Sequence, residues 1–167
     1  MMRLPWILAL ALALIALPAL AFDLPDHLLT PGAINLNVTQ ESIQQTVCVK
    51  GYTKTIRPPS NYTNKLKKRQ MREYGYTDRN PKHYEEDHLI ALSIGGAPDD
   101  PSNLWPQTRN SEWDAKKKDR LEFVLYKMVC AKEISLAEAQ HEMATNWISA
   151  WKHYVPSHQH YRFKRVD

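Results

Sequence analysis

The feature that most constrains the fold of this chain is a short apolar run, residues 89–94, which ends at Gly95-Gly96. The run is too short for a buried helix and charged residues precede it, so the pattern predicts a strand that leads into a turn. Residues 103–106 follow a loop rich in Asp and Pro, and they predict a second short strand. A helical pattern then extends over residues 111–130, with apolar side chains on one face. We therefore expect an α+β fold whose core is a hairpin followed by a helix.

Additional elements are expected on both sides of this core. Residues 45–52 predict a strand, and Ser60 and Asn61 can then cap a helix that stops at Gly75. Residues 135–138 read Ser-Leu-Ala-Glu, which is a capping box and predicts the start of a further helix.

The first residues are typical of a secretory signal peptide. Arg3 precedes an almost uninterrupted apolar stretch over residues 4–20, and Ala19-Leu20-Ala21 supplies an A-x-A cleavage site. We expect cleavage after Ala21, and an uncleaved anchor is the alternative. The protein is then secreted or periplasmic, without stable membrane association.

The length that remains after such a leader suits one domain. We divide the chain into a signal peptide (1–21), an N-terminal arm and strand (22–59), a domain with flanking helices (60–155) and a basic C-terminal tail (156–167).

Two cysteines, Cys48 and Cys130, remain in the exported part of the chain. Because exported proteins meet oxidising conditions, we expect one disulfide, which contributes about 3 to 5 kcal/mol in the loop-entropy model. Two free thiols or a metal pair is the alternative, but no second pair of cysteines completes a zinc site.

The net charge of the whole chain is +4 with neutral histidines, and loss of Arg3 with the leader lowers it by one unit. This excess permits binding to nucleic acid without demanding it. The basic residues form two clusters: Lys65, Lys67, Lys68, Arg69 and Arg72, and Lys116, Lys117, Lys118 and Arg120. Each cluster fits a solvated helix face as well as it fits phosphate binding.

Residues 85–96, which contain Asp87-His88 and Gly95-Gly96, together with Asn103-Leu104-Trp105-Pro106, resemble the HNH endonuclease family. The resemblance covers residues 84–125 and implies a ββα-metal core, which is a hairpin followed by a helix. A more limited similarity to exported bacterial HNH-like proteins lies in Cys-Val-x-Gly-Tyr at 48–52 and Arg-Pro-Pro at 57–59.

His88 is the residue best suited to take a proton from an attacking water. Hydrolysis of a phosphodiester needs such a base, and the ordinary pKa of imidazole leaves the neutral form abundant near pH 7. Asp87 would be the carboxylate ligand of a divalent cation, Mg²⁺ in the first place and Mn²⁺ as an alternative. Adjacent residues of a regular strand point to opposite faces. The resemblance nevertheless implies that both side chains serve one site, which requires a distorted strand end.

The resemblance also assigns roles to two asparagines. Asn103 would hold the hairpin loop and orient His88 through its amide oxygen, and a turn-capping asparagine is a compatible interpretation. Asn110 is the first candidate for the second metal ligand, with Glu112 and Asp119 as alternatives, because the sequence departs from the family pattern here. No Cys-x-x-Cys pairs bracket the core, so a structural zinc is not expected.

Phosphate contacts are expected from the helix that follows the hairpin. Lys117, Lys118 or Arg120 would bind the phosphate that flanks the cut. A solvated face, on which Lys118 and Glu122 form an i, i+4 pair, is the alternative.

Taken together, these residues predict an exported, metal-dependent endonuclease that cuts DNA, RNA or both with low sequence specificity, because no base-reading module is visible. An exported nucleic-acid-binding protein on an inactive HNH scaffold is the first alternative. A hydrolase of another substrate, with Glu85, Glu86 and Asp87 as catalytic carboxylates, is the second.

Overall fold

A computed structural model describes residues 23–162 of the chain, and the predicted leader lies outside these residues. The helices and strands follow one another in this order: α1 (Tyr52–Ile56), α2 (Ser60–Glu73), β1 (Tyr84–His88), β2 (Leu104–Thr108), α3 (Ala115–Cys130) and α4 (Leu136–Tyr154). The fold is therefore α+β, as predicted, with a two-stranded antiparallel sheet and four helices in this part of the chain.

The hairpin is present, but its first strand lies earlier than predicted. β1 pairs with β2 in a register that begins with Tyr84 opposite Thr108 and ends with His88 opposite Leu104. The predicted strand over residues 89–94 is wrong, because these residues turn inward and end in a short 3-10 turn, Leu92–Ile94. All of them are buried, so the apolar run is the buried part of a loop and not one face of a strand.

The predicted strand over residues 45–52 is also wrong. Successive turns occupy the segment, with hydrogen bonds such as Val49 N–H to the Thr46 carbonyl, and α1 begins at Tyr52. The buried side chains here are Ile43 and Val47, which are four positions apart. That spacing belongs to a helical turn, since a strand would bury alternate residues.

Three helix boundaries follow local capping chemistry, whereas α2 begins after Pro59 without the predicted side-chain cap from Ser60 or Asn61. α2 ends before Gly75, whose φ of +67° is the left-handed conformation that glycine adopts easily. α3 begins at Ala115, later than predicted, because the Asp114 side chain accepts the N–H of Lys117. Ser135 caps α4 by accepting the N–H of Glu138, which confirms the predicted start.

The core lies where α3 and α4 pack together over the inward-turned loop. Its largest fully buried side chains include Trp105, Trp147, Leu121 and Met143. α4 is interrupted at Asn146, whose backbone is extended (φ −164°, ψ 89°) and whose side chain accepts the N–H of Ser149.

Cys48 and Cys130 form a disulfide, as predicted. It joins the turns before α1 to the last residue of α3, at a separation of 82 positions in sequence. Within residues 23–162, no helix has the length and apolar character needed to cross a membrane.

Candidate catalytic site

His88 is the last residue of β1, and its ring is held through one nitrogen. Nε2 lies 2.8 Å from the carbonyl oxygen of Pro98. Because a carbonyl oxygen only accepts hydrogen bonds, Nε2 carries the proton of the neutral ring and Nδ1 keeps the lone pair. Within residues 23–162, no hydrogen bond is made to Nδ1. Burial lowers the pKa of His88, so the ring is neutral at pH 7 and Nδ1 can accept a proton.

The carbonyl that orients His88 belongs to the loop between the strands, and Asn103 holds this loop. The Asn103 amide oxygen accepts the N–H of Ile90 at 2.9 Å, and its amide nitrogen donates to the carbonyls of Ile90 (3.0 Å) and Ala97 (2.9 Å). The amide oxygen therefore bonds the loop backbone and not His88, contrary to the orienting role that the resemblance implies. Asn103 affects His88 indirectly, since its hydrogen bond to the Ala97 carbonyl fixes the residue before Pro98.

Gly96 allows the loop to close on itself. A Cβ atom at this position would lie 1.8 Å from the carbonyl oxygen of Ile90 and 2.9 Å from the amide nitrogen of Asn103. No side chain fits in that space. The Gly-Gly pair of the sequence therefore marks a close backbone approach in addition to a turn.

Asp87 faces α3, whereas the ring of His88, the next residue, lies against the loop. Its Oδ2 accepts a hydrogen bond from the Lys118 ammonium at 2.7 Å. The strand remains regular up to His88, with Asp87 opposite Trp105. No hydrogen bond joins the side chains of Asp87 and His88 in the described part of the chain. The distorted strand end that would bring both side chains to one point is absent.

Lys118 is fully buried and is surrounded by oxygen atoms. Its ammonium donates to Asp87, to the backbone carbonyl of His88 at 2.5 Å and to the Glu122 carboxylate. Burial alone would lower the pKa of Lys118, but the two neighbouring carboxylates outweigh it and raise the pKa. Burial also raises the pKa of Glu122, against the attraction of Lys118. The i, i+4 pair is therefore present, but its lysine is fully buried and its glutamate is only partly exposed.

The residues that the structure describes do not form the predicted metal site. The pairing register puts Asn110, which is exposed, beyond the Tyr84 end of the hairpin, away from Asp87. The acid of α3 that bonds the Lys118 ammonium together with Asp87 is Glu122. Residues 23–162 contain no group of three or more His, Cys, Asp or Glu side chains that could hold a metal ion. Because an ammonium fills the space between the carboxylates, these residues do not fit the implied Mg²⁺ or Mn²⁺.

The other two predicted metal ligands lie elsewhere. Glu112 is exposed and precedes α3, and Asp119 follows Lys118 on the helix and is partly exposed.

The three predicted phosphate-binding residues have different environments. Lys118 is buried and cannot reach a phosphate in this conformation. Arg120 donates to the backbone carbonyls of Tyr161 (2.7 Å) and His158 (3.3 Å), so it holds the segment after α4. Lys117 lies over the ring of Trp113, 4.3 Å from its centroid. Phosphate binding by Lys117 stays a prediction.

A basic groove lies at the other end of β1. This cavity of about 360 Å³ is lined by Asn64, Lys67, Lys68, Pro81, Lys82, Tyr84 and Arg109. Lys67 donates to the backbone carbonyl of Tyr84 at 3.2 Å, and Arg109 pairs with Glu85 at 3.1 Å. The basic residues of α2 are evident in the sequence, but the groove is not, because residues from other parts of the chain complete it.

The three consecutive acids of β1 have different environments, which argues against a shared carboxylate site. Glu85 pairs with Arg109 and Asp87 with Lys118, whereas both carboxyl oxygens of Glu86 are buried without a hydrogen-bond partner in the described part of the chain. Burial raises the pKa of Glu86 to about 8, against the attraction of Lys67.

Arg57 is an exposed cation near His88. Its charge adds to the lowering of the pKa of His88. In the sequence Arg57 is notable only as part of the Arg-Pro-Pro segment, which does not predict its electrostatic effect on the candidate base.

Comparisons of the chain with models of protein families, with curated proteins and with solved structures found no match.

Proposed function

We propose that this chain is an exported phosphodiesterase that hydrolyses nucleic acid with little sequence specificity and uses His88 as its general base. The observation that carries the proposal is the state of His88: a neutral ring, one nitrogen bonded to Pro98 and Nδ1 left as a proton acceptor. Most buried side-chain polar atoms have a hydrogen-bond partner, so a ring nitrogen of a buried histidine that has none can take part in chemistry.

In the proposed reaction, Nδ1 of His88 takes a proton from a water molecule while the water oxygen attacks the phosphorus. A new P–O bond forms, the bond to the leaving sugar oxygen breaks, and that oxygen takes a proton from solvent. Arg57 supplies positive charge near this point. The reaction uses no metal-dependent step, because the described residues do not fit a metal ion.

The basic groove suits the flanking part of a polyanionic substrate. The groove and His88 lie at opposite ends of β1, and the strand between Tyr84 and His88 is roughly 13 Å long, which is four residue steps. This distance corresponds to about four nucleotides at 3.4 Å per step along one strand of a duplex. Lys68, Lys82 and Arg109 are exposed and contact phosphates without reading bases, which supports low specificity.

Export is supported by the disulfide between Cys48 and Cys130, because such bonds persist in oxidising compartments. The leader itself stays a prediction.

The decisive test is degradation of plasmid DNA and of RNA by the oxidised protein, in EDTA and with Mg²⁺ or Mn²⁺. The variant His88→Gln keeps an amide that can donate to Pro98 but lacks the base, so we expect a loss of about 10²- to 10⁴-fold in rate. His153→Gln is the matched control, because His153 is exposed on α4, and it should cut normally. We expect kcat/KM to rise with pH, with a midpoint below the ordinary histidine pKa of 6.5, and to stay constant at higher pH. Equal rates for the wild type and His88→Gln would refute the assignment.

Binding is tested separately by titrating a labelled oligonucleotide at several salt concentrations. Lys82→Ala should weaken binding and reduce the slope of log K against log salt by about 1. Lys50→Ala removes an equally exposed lysine outside the groove and should change neither value.

A second candidate function is nucleic-acid binding without turnover. The specific observation that favours it is Lys118, since an ammonium between the carboxylates occupies the position where the resemblance puts a catalytic metal. Tight, salt-sensitive binding with no cutting in any buffer would support this alternative and overturn the catalytic role of His88.

A further inference from the structure

Lys118 makes three hydrogen bonds that use all the donors of its ammonium. The acceptors come from three different residues: Oδ2 of Asp87 at 2.7 Å, the backbone carbonyl of His88 at 2.5 Å and a carboxyl oxygen of Glu122. An ammonium has three N–H donors and no acceptor, so this lysine is fully satisfied. Its side chain has no exposed surface, and therefore it does not act on a bound molecule directly.

The same three oxygens form the kind of ligand set that a hard divalent cation accepts. Such cations bind carboxylate and backbone carbonyl oxygens and complete their shell with water. Two carboxylates in this partly buried position require a positive charge nearby, because unpaired carboxylates are costly to remove from water. In this chain the charge comes from a side chain four positions before Glu122 on the same helix.

We propose that Lys118 is a built-in cation, which occupies the position between β1 and α3 where the HNH resemblance puts a metal ion, so that this hairpin-and-helix core needs no metal. The inference does not depend on any catalytic activity. It predicts that the native protein is indifferent to chelators, and that removal of the ammonium leaves a latent divalent-cation site.

The test compares thermal unfolding of the oxidised protein in EDTA and in increasing Mn²⁺, with Mn²⁺ binding followed by electron paramagnetic resonance. The wild type should show the same Tm in both conditions. Lys118→Ala empties the space between the oxygens, so its Tm should fall in EDTA. It should recover by roughly 5 to 10 °C at Mn²⁺ a hundredfold above its Kd.

Lys118→Met is the matched control. It removes the charge but keeps a side chain of similar length in the space, so it should be destabilised without any response to Mn²⁺. Adding Asp87→Asn to Lys118→Ala removes one carboxylate and should abolish the recovery.

A further variant covers the case in which Lys118→Ala does not fold. Lys118→His offers an imidazole ligand beside the two carboxylates, and it should refold from urea in Mn²⁺ but not in EDTA. Two results would overturn the proposal. One is a wild-type Tm that depends on Mn²⁺ and loses this dependence in Asp87→Asn. The other is that Mn²⁺ neither raises the Tm nor restores folding in Lys118→Ala and Lys118→His. Because the readouts are stability and metal binding, these results are independent of whether the protein cuts nucleic acid.

Discussion

Glu86→Gln is expected to remove a large part of the pH dependence of stability. Glu86 lies on β1 with both carboxyl oxygens buried and without a hydrogen-bond partner in the described part of the chain, and its pKa is raised from 4.5 to about 8. The folded state therefore keeps a proton that the unfolded chain loses. Stability from this group is complete below pH 4.5 and is lost as the pH rises through about 8.

The size of the effect follows from the two pKa values. Between pH 5 and pH 9 the linkage amounts to about 4 kcal/mol for a single group with this shift. Nearby Lys67 opposes the shift, and its movement toward a charged Glu86 would reduce the loss, so about 4 kcal/mol is a ceiling. At pH 5 we expect the two proteins to differ by no more than about 1 kcal/mol, since Gln is a neutral group of the same shape.

The assay is urea denaturation of the oxidised wild type and variant at intervals from pH 5 to pH 9. Other buried groups titrate in both proteins, so the informative quantity is the difference between their free energies of unfolding at each pH. Glu85→Gln is the control, because Glu85 lies one position away in an exposed pair with Arg109. Its effect should stay below about 1 kcal/mol at every pH. A wild-type-minus-Glu86→Gln difference that stays flat across this range would refute the reasoning.

Two further predictions concern the backbone and its cross-link. Gly96→Ala should lower the free energy of unfolding in urea by at least about 3 kcal/mol, because the new Cβ would lie 1.8 Å from a backbone carbonyl oxygen. In the control, Gly51→Ala, the new Cβ meets no atom within 4 Å, so the loss should be about 1 kcal/mol, caused by the positive φ. Equal losses would show that the loop around Gly96 can move aside. Replacing Cys48 and Cys130 together by Ser should lower the free energy of unfolding by about 4 kcal/mol, as expected for a separation of 82 positions, and an unchanged value would show that the bond does not restrict the unfolded chain.

The elements that could be predicted from sequence are those with a local cause. The Ser135 cap, the stop at Gly75 and the long helix after the hairpin each follow from neighbouring residues. The disulfide was predictable because the chain has only two cysteines. Apolar runs are harder to interpret. Residues 89–94 form the buried part of a loop, and their apolar pattern does not distinguish such a loop from a buried strand.

The candidate site was predictable in its residues but not in its contacts. Asp87, His88 and Asn103 were selected from sequence, yet the orientation of His88 comes from Pro98, a loop residue with no pattern of its own. The sequence predicts that Lys118 is available to bind phosphate, with a solvated i, i+4 pair with Glu122 as the alternative. The burial of Lys118 depends on Asp87, 31 positions earlier, and only the packing of β1 on α3 brings the two together.

The disulfide also determines which breaks in the backbone would divide the molecule. The segment that it encloses, residues 48–130, contains both strands, α1, α2, α3 and every side chain of the candidate site. A single cleavage by a protease within this segment leaves the two pieces joined by the disulfide. The cleaved protein would therefore run as one species on a non-reducing gel. A cut in the exposed turn at Lys132 has a different result, because α4 would then be held only by noncovalent contacts, which are its packing against the core and hydrogen bonds such as that of Gln140 to the Ile94 carbonyl. Cleavage in the turn between α3 and α4, which lies outside the enclosed segment, would therefore leave α4 without a covalent link to the candidate site.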